Sequence, residues 1–112
     1  MATEIRITDH GHDRGWERLR LRGEAFMKAA RIAYESGIPH SGMKGNLHKW
    51  VSSMTREHGK KGASPRIFGT HLWVFADDGG GVALITVFPV PRNLLALCRE
   101  LQQRKSDISD GH

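Results

Sequence analysis

The stretch from Arg66 to Pro91, RIFGTHLWVFADDGGGVALITVFPVP, constrains the fold more than any other part of the chain. It holds most of the strongly β-forming residues, and Asp77-Asp78-Gly79-Gly80-Gly81 interrupts it with acidic residues and glycines suited to a turn. A β-hairpin is the direct reading. Because strand side chains alternate, its second strand is expected to place Val82, Leu84, Thr86 and Phe88 on one side and Ala83, Ile85 and Val87 on the other. Both sides are mostly apolar, so the strand is read as central and at least partly covered on both faces, with Thr86 its one hydroxyl. Pro89 and Pro91 end the ladder by removing backbone donors.

The rest of the chain reads as mainly helical. Glu4 to Thr8 alternates charged and β-branched residues and predicts a short strand at the sheet edge. Thr8 or Asp9 then caps a helix from about His10 to Arg22. Gly11 and Gly15 weaken that helix by about 1 kcal/mol each relative to alanine, which leaves Trp16 and Leu19 to hold it by packing. A second helix, from Glu24 to about Ser36, carries Phe26, Ala29, Ala30 and Ala33 on one narrow stripe. Gly37 and Pro39 end it, and Ile38 to Gly42 reads as a turn. The third helix, about Met43 to Glu57, buries Leu47, Trp50, Val51 and Met54, and a mobile basic loop from Gly59 to Pro65 leads into the sheet. The last helix, about Arg92 to Lys105, aligns Leu94, Leu97, Cys98 and Leu101. Ser106 to His112 reads as a disordered polar tail.

The expected architecture is one α+β domain over residues 1–105, in the order β-α-α-α-β-β-β-α. N-terminal helices pack on a small antiparallel β-sheet, with a C-terminal helix. Trp16 and Trp50 are expected in the core, and Trp73 is read as core in preference to an exposed face.

At 112 residues and 38% hydrophobic, the chain can build one core. It has no run of about 18 apolar residues and no apolar signal segment, so a soluble cytoplasmic protein is expected. The lone Cys98 sits in an apolar helical pattern and reads as a packing residue in a reducing compartment. The net charge of +5 is unevenly placed: Lys44, Lys49, Arg56, Lys60, Lys61 and Arg66 are opposed in their segment only by Glu57. Such a surface attracts polyanions, which makes nucleic acid the leading partner; a solvated basic face is the plain alternative.

The seven histidines lack zinc-finger or HExxH spacing, and neither a metal site nor a cofactor is expected. There is no GxSxG nucleophile motif, and Gly79-Gly80-Gly81 lacks the lysine of a P-loop. His10, Arg14 and Arg18, spaced i, i+4, i+8, can share a helix face. Cleavage of RNA without metal needs a base, an acid and fixed cations for the phosphate, and histidine and arginine suit those roles. Spacing alone favours a solvated face beside Glu17.

The order of a strand, an Asp-His start to an arginine-rich helix (ITDHGHDRGWERLRL), further helices and a sheet ending in LITVFPVP resembles the barnase/EndoU/colicin/RelE-like superfamily of small metal-independent ribonucleases. It is most similar to bacterial and phage members in which a His-x-x-x-Arg helix precedes a sheet whose late strand carries Thr or Ser. The resemblance implies a toxin-like or phage-type endoribonuclease acting on tRNA or mRNA, with helices on one face of the sheet and RNA on the other. It assigns His10 as general base or acid, Arg14 and Arg18 as phosphate-stabilising residues, and Thr86 as the late-strand hydroxyl. Lys44, Lys49 and Arg66, with Arg56, Lys60 and Lys61 beside them, would grip RNA, and Trp73 is the candidate stacking surface. An inhibitor or antitoxin protein is the further partner such a nuclease suggests.

The chain departs from the pattern in an extra helix before the sheet, in glycines inside the His10 helix, and in lacking a second histidine in the last strands; His71 and His48 are the candidates for that role. The alternative function is a non-catalytic module that binds nucleic acid or protein through the basic 43–66 surface. Homodimerisation through the hairpin edges is compatible with either.

Overall fold

The computed structural model of the chain describes residues 4–58, 62–77 and 79–110, without the side chains of 58 and 105–110. Strand β1 (Ile5–Ile7) passes through Thr8 into helix α1 (Asp9–Leu19). Of the two candidate caps, Thr8 serves: it is extended, and its Oγ1 accepts from the Gly11 N–H at 3.0 Å. Helix α1 stops before the expected Arg22, because Arg20 turns left-handed (φ 56°) and its N–H returns to the carbonyls of Gly15 and Trp16. Helix α2 (Gly23–Ser36) ends at Gly37, whose N–H donates to Ala33 O at 2.9 Å.

The expected turn after α2 contains a short strand, β2 (Ile38–Pro39), and a 3-10 turn (His40–Gly42) before helix α3 (Gly45–His58). Strands β3 (Ala63–Phe68), β4 (His71–Asp77) and β5 (Val82–Pro89) follow. Strand β3 begins inside the stretch read as a loop. Its Pro65 lies where β2 no longer covers the strand, a position at which a missing donor is tolerated. A 3-10 turn (Arg92–Leu94) leads to helix α4 (Leu95–Asp110), whose backbone stays helical beyond the expected end at Lys105. Among the described residues no helix is long and apolar enough to cross a membrane.

The fold is α+β, with four helices and a five-stranded sheet among the described residues, in the order β1-β5-β4-β3-β2. The sheet is mixed, a correction to the antiparallel expectation: β1 runs parallel to β5, pairing Ile5 with Val82 and Ile7 with Leu84. No hairpin joins β1 to its partner, so nothing local dictates its direction.

Alternation along β4 divides the core. Trp73 and Phe75 join Ile5, Ile7, Leu84 and Val87 beneath Phe26, Ala30 and Ala33 of α2. Leu72 and Val74 join Ile67 beneath Leu47 and Val51 of α3 and Cys98 of α4. Helices therefore cover both faces, and no open sheet face remains of the kind the resemblance implied.

Strand β5 breaks its own alternation. Thr86 pairs with Val74, but Phe75 pairs with Leu84, so Ile85 is an extra residue without a cross-strand partner. Past that bulge the phase reverses. Val87 returns to the α2 side with Val82 and Leu84, while Thr86 and Phe88 stand opposite Val74 and Leu72 on the α3–α4 side. The expected grouping of Val82, Leu84, Thr86 and Phe88 on one side does not form.

Beyond β1, helix α1 takes over the exposed side of β5. The Thr8 N–H and Oγ1 both donate to Leu84 O at 3.1 Å, and Gly11 and Gly15 are the buried residues of the helix. A Cβ on Gly11 would lie 2.7 Å from Leu84 O, and one on Gly15 would enter the ring of Phe26. The glycines that weaken the helix in isolation are what lets it reach the strand.

Candidate nucleic-acid interface

Successive residues rotate by about 100° around a helix, so Arg18 projects close to the buried Gly11/Gly15 line, Arg14 flanks it, and His10 points well away. Exposure follows this order: His10 is exposed, whereas Arg14 and Arg18 are partly buried. Arg18 Nη1 donates to Val87 O at 2.6 Å, and its guanidinium carbon stands 4.6 Å from the centre of the Phe88 ring. It thus satisfies an edge carbonyl of β5 and covers an aromatic ring. Arg14 pairs with Glu17 at 2.5 Å. Burial pushes the Arg18 pKa below its ordinary value, the charge of Arg14 adds to this, and Glu17 opposes it.

His71, half-buried at the start of β4, places Nδ1 3.2 Å from Thr70 Oγ1. Its pKa is lowered by burial first and by the charge of Arg18 second. Arg18 therefore lies within electrostatic reach of both Arg14 and His71 at the α1–β5 edge. His10 sits about 12 Å of helix axis from Arg18, with only Arg14 of this group one turn away. Thr86 is 1% exposed, faces the α3–α4 core, and its Oγ1 has no hydrogen-bond partner among the described residues. His10, Arg14, Arg18 and Thr86 do not converge: helix rotation and rise separate His10 from Arg18, and the bulge at Ile85 turns Thr86 into the α3–α4 core.

The sheet also divides the basic residues. Lys44, Lys49 and Arg56 are exposed, and Lys49 and Arg56, at i and i+7, lie on one stripe of α3. Arg66 projects to the opposite side, where it stacks 5.1 Å from the Tyr34 ring centre and donates to Ser64 Oγ at 2.6 Å and Pro65 O at 3.1 Å. Lys60 and Lys61 lie outside the described residues. Trp73 is 3% exposed and donates Nε1–H to Phe68 O at 3.3 Å; as a core residue it offers no stacking face.

Trp16 is the reverse case. Read as core, it is 41% exposed, with the Arg22 and Arg20 guanidinium carbons 4.4 and 5.4 Å from its ring centre. The glycines explain this: they form the contact face of α1, and Trp16, one residue beyond Gly15, is rotated off it. Glycines at i and i+4 in an amphipathic helix were the available signal. Guanidinium–indole contacts at exposed sites are worth about 0.5–1 kcal/mol, less than the roughly 1–3 kcal/mol of a nucleobase stacked on an aromatic ring.

A separate histidine pair joins the 3-10 turn to α3. The rings of His40 and His48 stack with centres 4.2 Å apart and planes 12° from parallel. Ser52 Oγ donates to His48 O at 2.8 Å, leaving His40 Nε2–H to donate to that Oγ at 2.8 Å. Burial first and His48 second lower the His40 pKa, with a backbone hydrogen bond opposing them. Among the described residues no group of three or more His, Cys, Asp or Glu side chains is placed to hold a metal ion. Shallow grooves beside the Gly79–Gly81 turn are lined by Tyr34 and Asp77 or by Glu4 and Arg6, and contain none of the expected site residues.

No protein-family model, curated protein or solved structure matches this chain.

Proposed function

We propose that the protein binds RNA through cations displayed on its helices. The observation that carries this reading is the exposed stripe of Lys49 and Arg56 on α3, with Lys44 just before the helix. Ordered cations on a rigid element neutralise phosphates with little loss of backbone entropy, and the counterions released drive binding. The experiment is a titration of labelled RNA over a range of salt concentrations. With each phosphate contact to a single strand contributing about 0.7 to the log–log salt slope, a Lys44→Ala/Lys49→Ala/Arg56→Ala variant should lose about 2 from that slope. No binding at low salt, or an unchanged slope in the variant, would refute the reading.

Metal-independent RNA cleavage at the α1–β5 edge is a second reading, favoured by His71, half-buried at the start of β4 within the field of Arg18. That pair offers a base and a phosphate-binding cation, and the resemblance to the barnase/EndoU/colicin/RelE-like superfamily supports it. Incubation of tRNA and mRNA with the protein in EDTA tests it. Cleavage that is lost in His71→Gln and kept in Thr86→Val is the expected result; intact RNA with the wild-type protein rejects it.

A further inference from the structure

We propose that Trp16, with Arg20 and Arg22, is a stacking platform for unpaired bases of single-stranded RNA. This rests on the RNA-binding reading and names the form of RNA recognised. Among the described residues Trp16 and Ile32 are the large hydrophobic side chains left exposed. Trp16 belongs to neither face of the sheet's core, so packing gives no reason for an indole at this position.

The backbone arranges the cluster. Arg20 adopts the left-handed conformation that closes α1, and beyond this turn the guanidinium of Arg22 lies against the same ring. Neither Arg20 nor Arg22 is ion-paired among the described residues, so their charges remain available to phosphate. A base that stacks on the indole displaces a guanidinium that stays tethered beside it, next to the phosphates flanking that base. In a duplex the base faces are already stacked on each other, and only an unpaired strand offers one to the ring.

The test uses the full chain with two fluorescein-labelled probes, an oligouridine of about twelve nucleotides and a blunt RNA duplex of the same length. Trp16→Leu, at an exposed position, keeps the fold, checked by circular dichroism. It should weaken oligouridine binding by about 5- to 150-fold and duplex binding by less than about twofold. Arg22→Gln, which keeps the ring, should lower the oligouridine salt slope by about 0.7. Wild-type affinity for oligouridine in Trp16→Leu, or equal losses on both probes, would overturn the platform and leave the RNA-binding reading standing. A wild-type protein that binds neither probe would remove both. Displacement of oligouridine by polyglutamate equally well in wild type and Trp16→Leu would show an anion surface without stacking, and would also overturn the platform.

Discussion

Replacing Gly15 or Gly11 by alanine opposes two effects of known size. In an exposed helix either change would add about 1 kcal/mol of stability through helix propensity. Here both residues are the contact face of α1. A Cβ on Gly15 meets the ring of Phe26, which is fully buried and already flanked at 6.0 Å between ring centres by Trp73 and by His12. A Cβ on Gly11 lies 2.7 Å from Leu84 O, which accepts from the Thr8 N–H and from Thr8 Oγ1, so relief requires moving backbone. Overpacking of a close-fitted core costs about 1–3 kcal/mol, and strained hydrogen bonds of this kind add about 1 kcal/mol.

The clash outweighs the propensity gain. Each variant should lose about 1–2 kcal/mol, which corresponds to a fall in Tm of roughly 4–9 °C for a domain of this size. The double variant should lose less than the sum, because one outward shift of α1 relieves both contacts. Urea denaturation followed by far-ultraviolet circular dichroism measures this, with an unchanged m-value expected. A Gly15→Ala protein as stable as wild type or more stable would show that propensity governs α1 and that the close approach to Phe26 is not real.

Thr86→Val removes a buried hydroxyl that has no partner among the described residues while keeping its shape. It should stabilise the protein by about 1 kcal/mol and leave RNA binding unchanged; a selective loss of RNA-directed activity would return Thr86 to the site. The folded-state pKa values of His40 and His71 lie below the usual imidazole value, so protonation favours the unfolded chain. Their contribution is present above an unfolded pKa of about 6.5 and is lost as pH falls through the folded values, so urea midpoints should decline from pH 7.5 to 5.5 and decline less in a His40→Gln/His71→Gln variant. Gln102 accepts from Gly69 N at 2.9 Å and donates to Gly69 O at 2.7 Å, clamping α4 to the β3–β4 turn. Gln102→Leu should therefore cost about 1–2 kcal/mol in thermal and urea unfolding; no change would mean that the clamp is replaced by water.

Much of the fold was legible because its causes are local. The turn between Asp77 and Val82 uses glycines at positive φ (Gly79 at 56°, Gly80 at 113°), as the glycine-rich run suggested. Phe26, Ala30 and Ala33, and likewise Leu47 and Val51, are buried on the stripes that helical spacing marks, and Cys98 is a buried packing residue. The candidate site was less legible. Trp16 and Trp73 look alike in composition, yet one is exposed and the other lies in the core. What separates them is the pair of glycines that turns α1 toward β5.

By itself the sequence determined the four helices, the first strand and the last three strands in their order, without the short β2, and the excess of cation in the 43–66 segment. Those follow from residue spacing, turn chemistry and charge, which act over a few neighbours. Only the tertiary structure decided that β1 runs parallel to β5, that Ile85 is an extra residue in its strand, and that Thr86 consequently faces the α3–α4 core. Those outcomes depend on pairing between segments dozens of residues apart, where one unpaired residue exchanges the two faces of a strand, and no local pattern encodes where that residue falls.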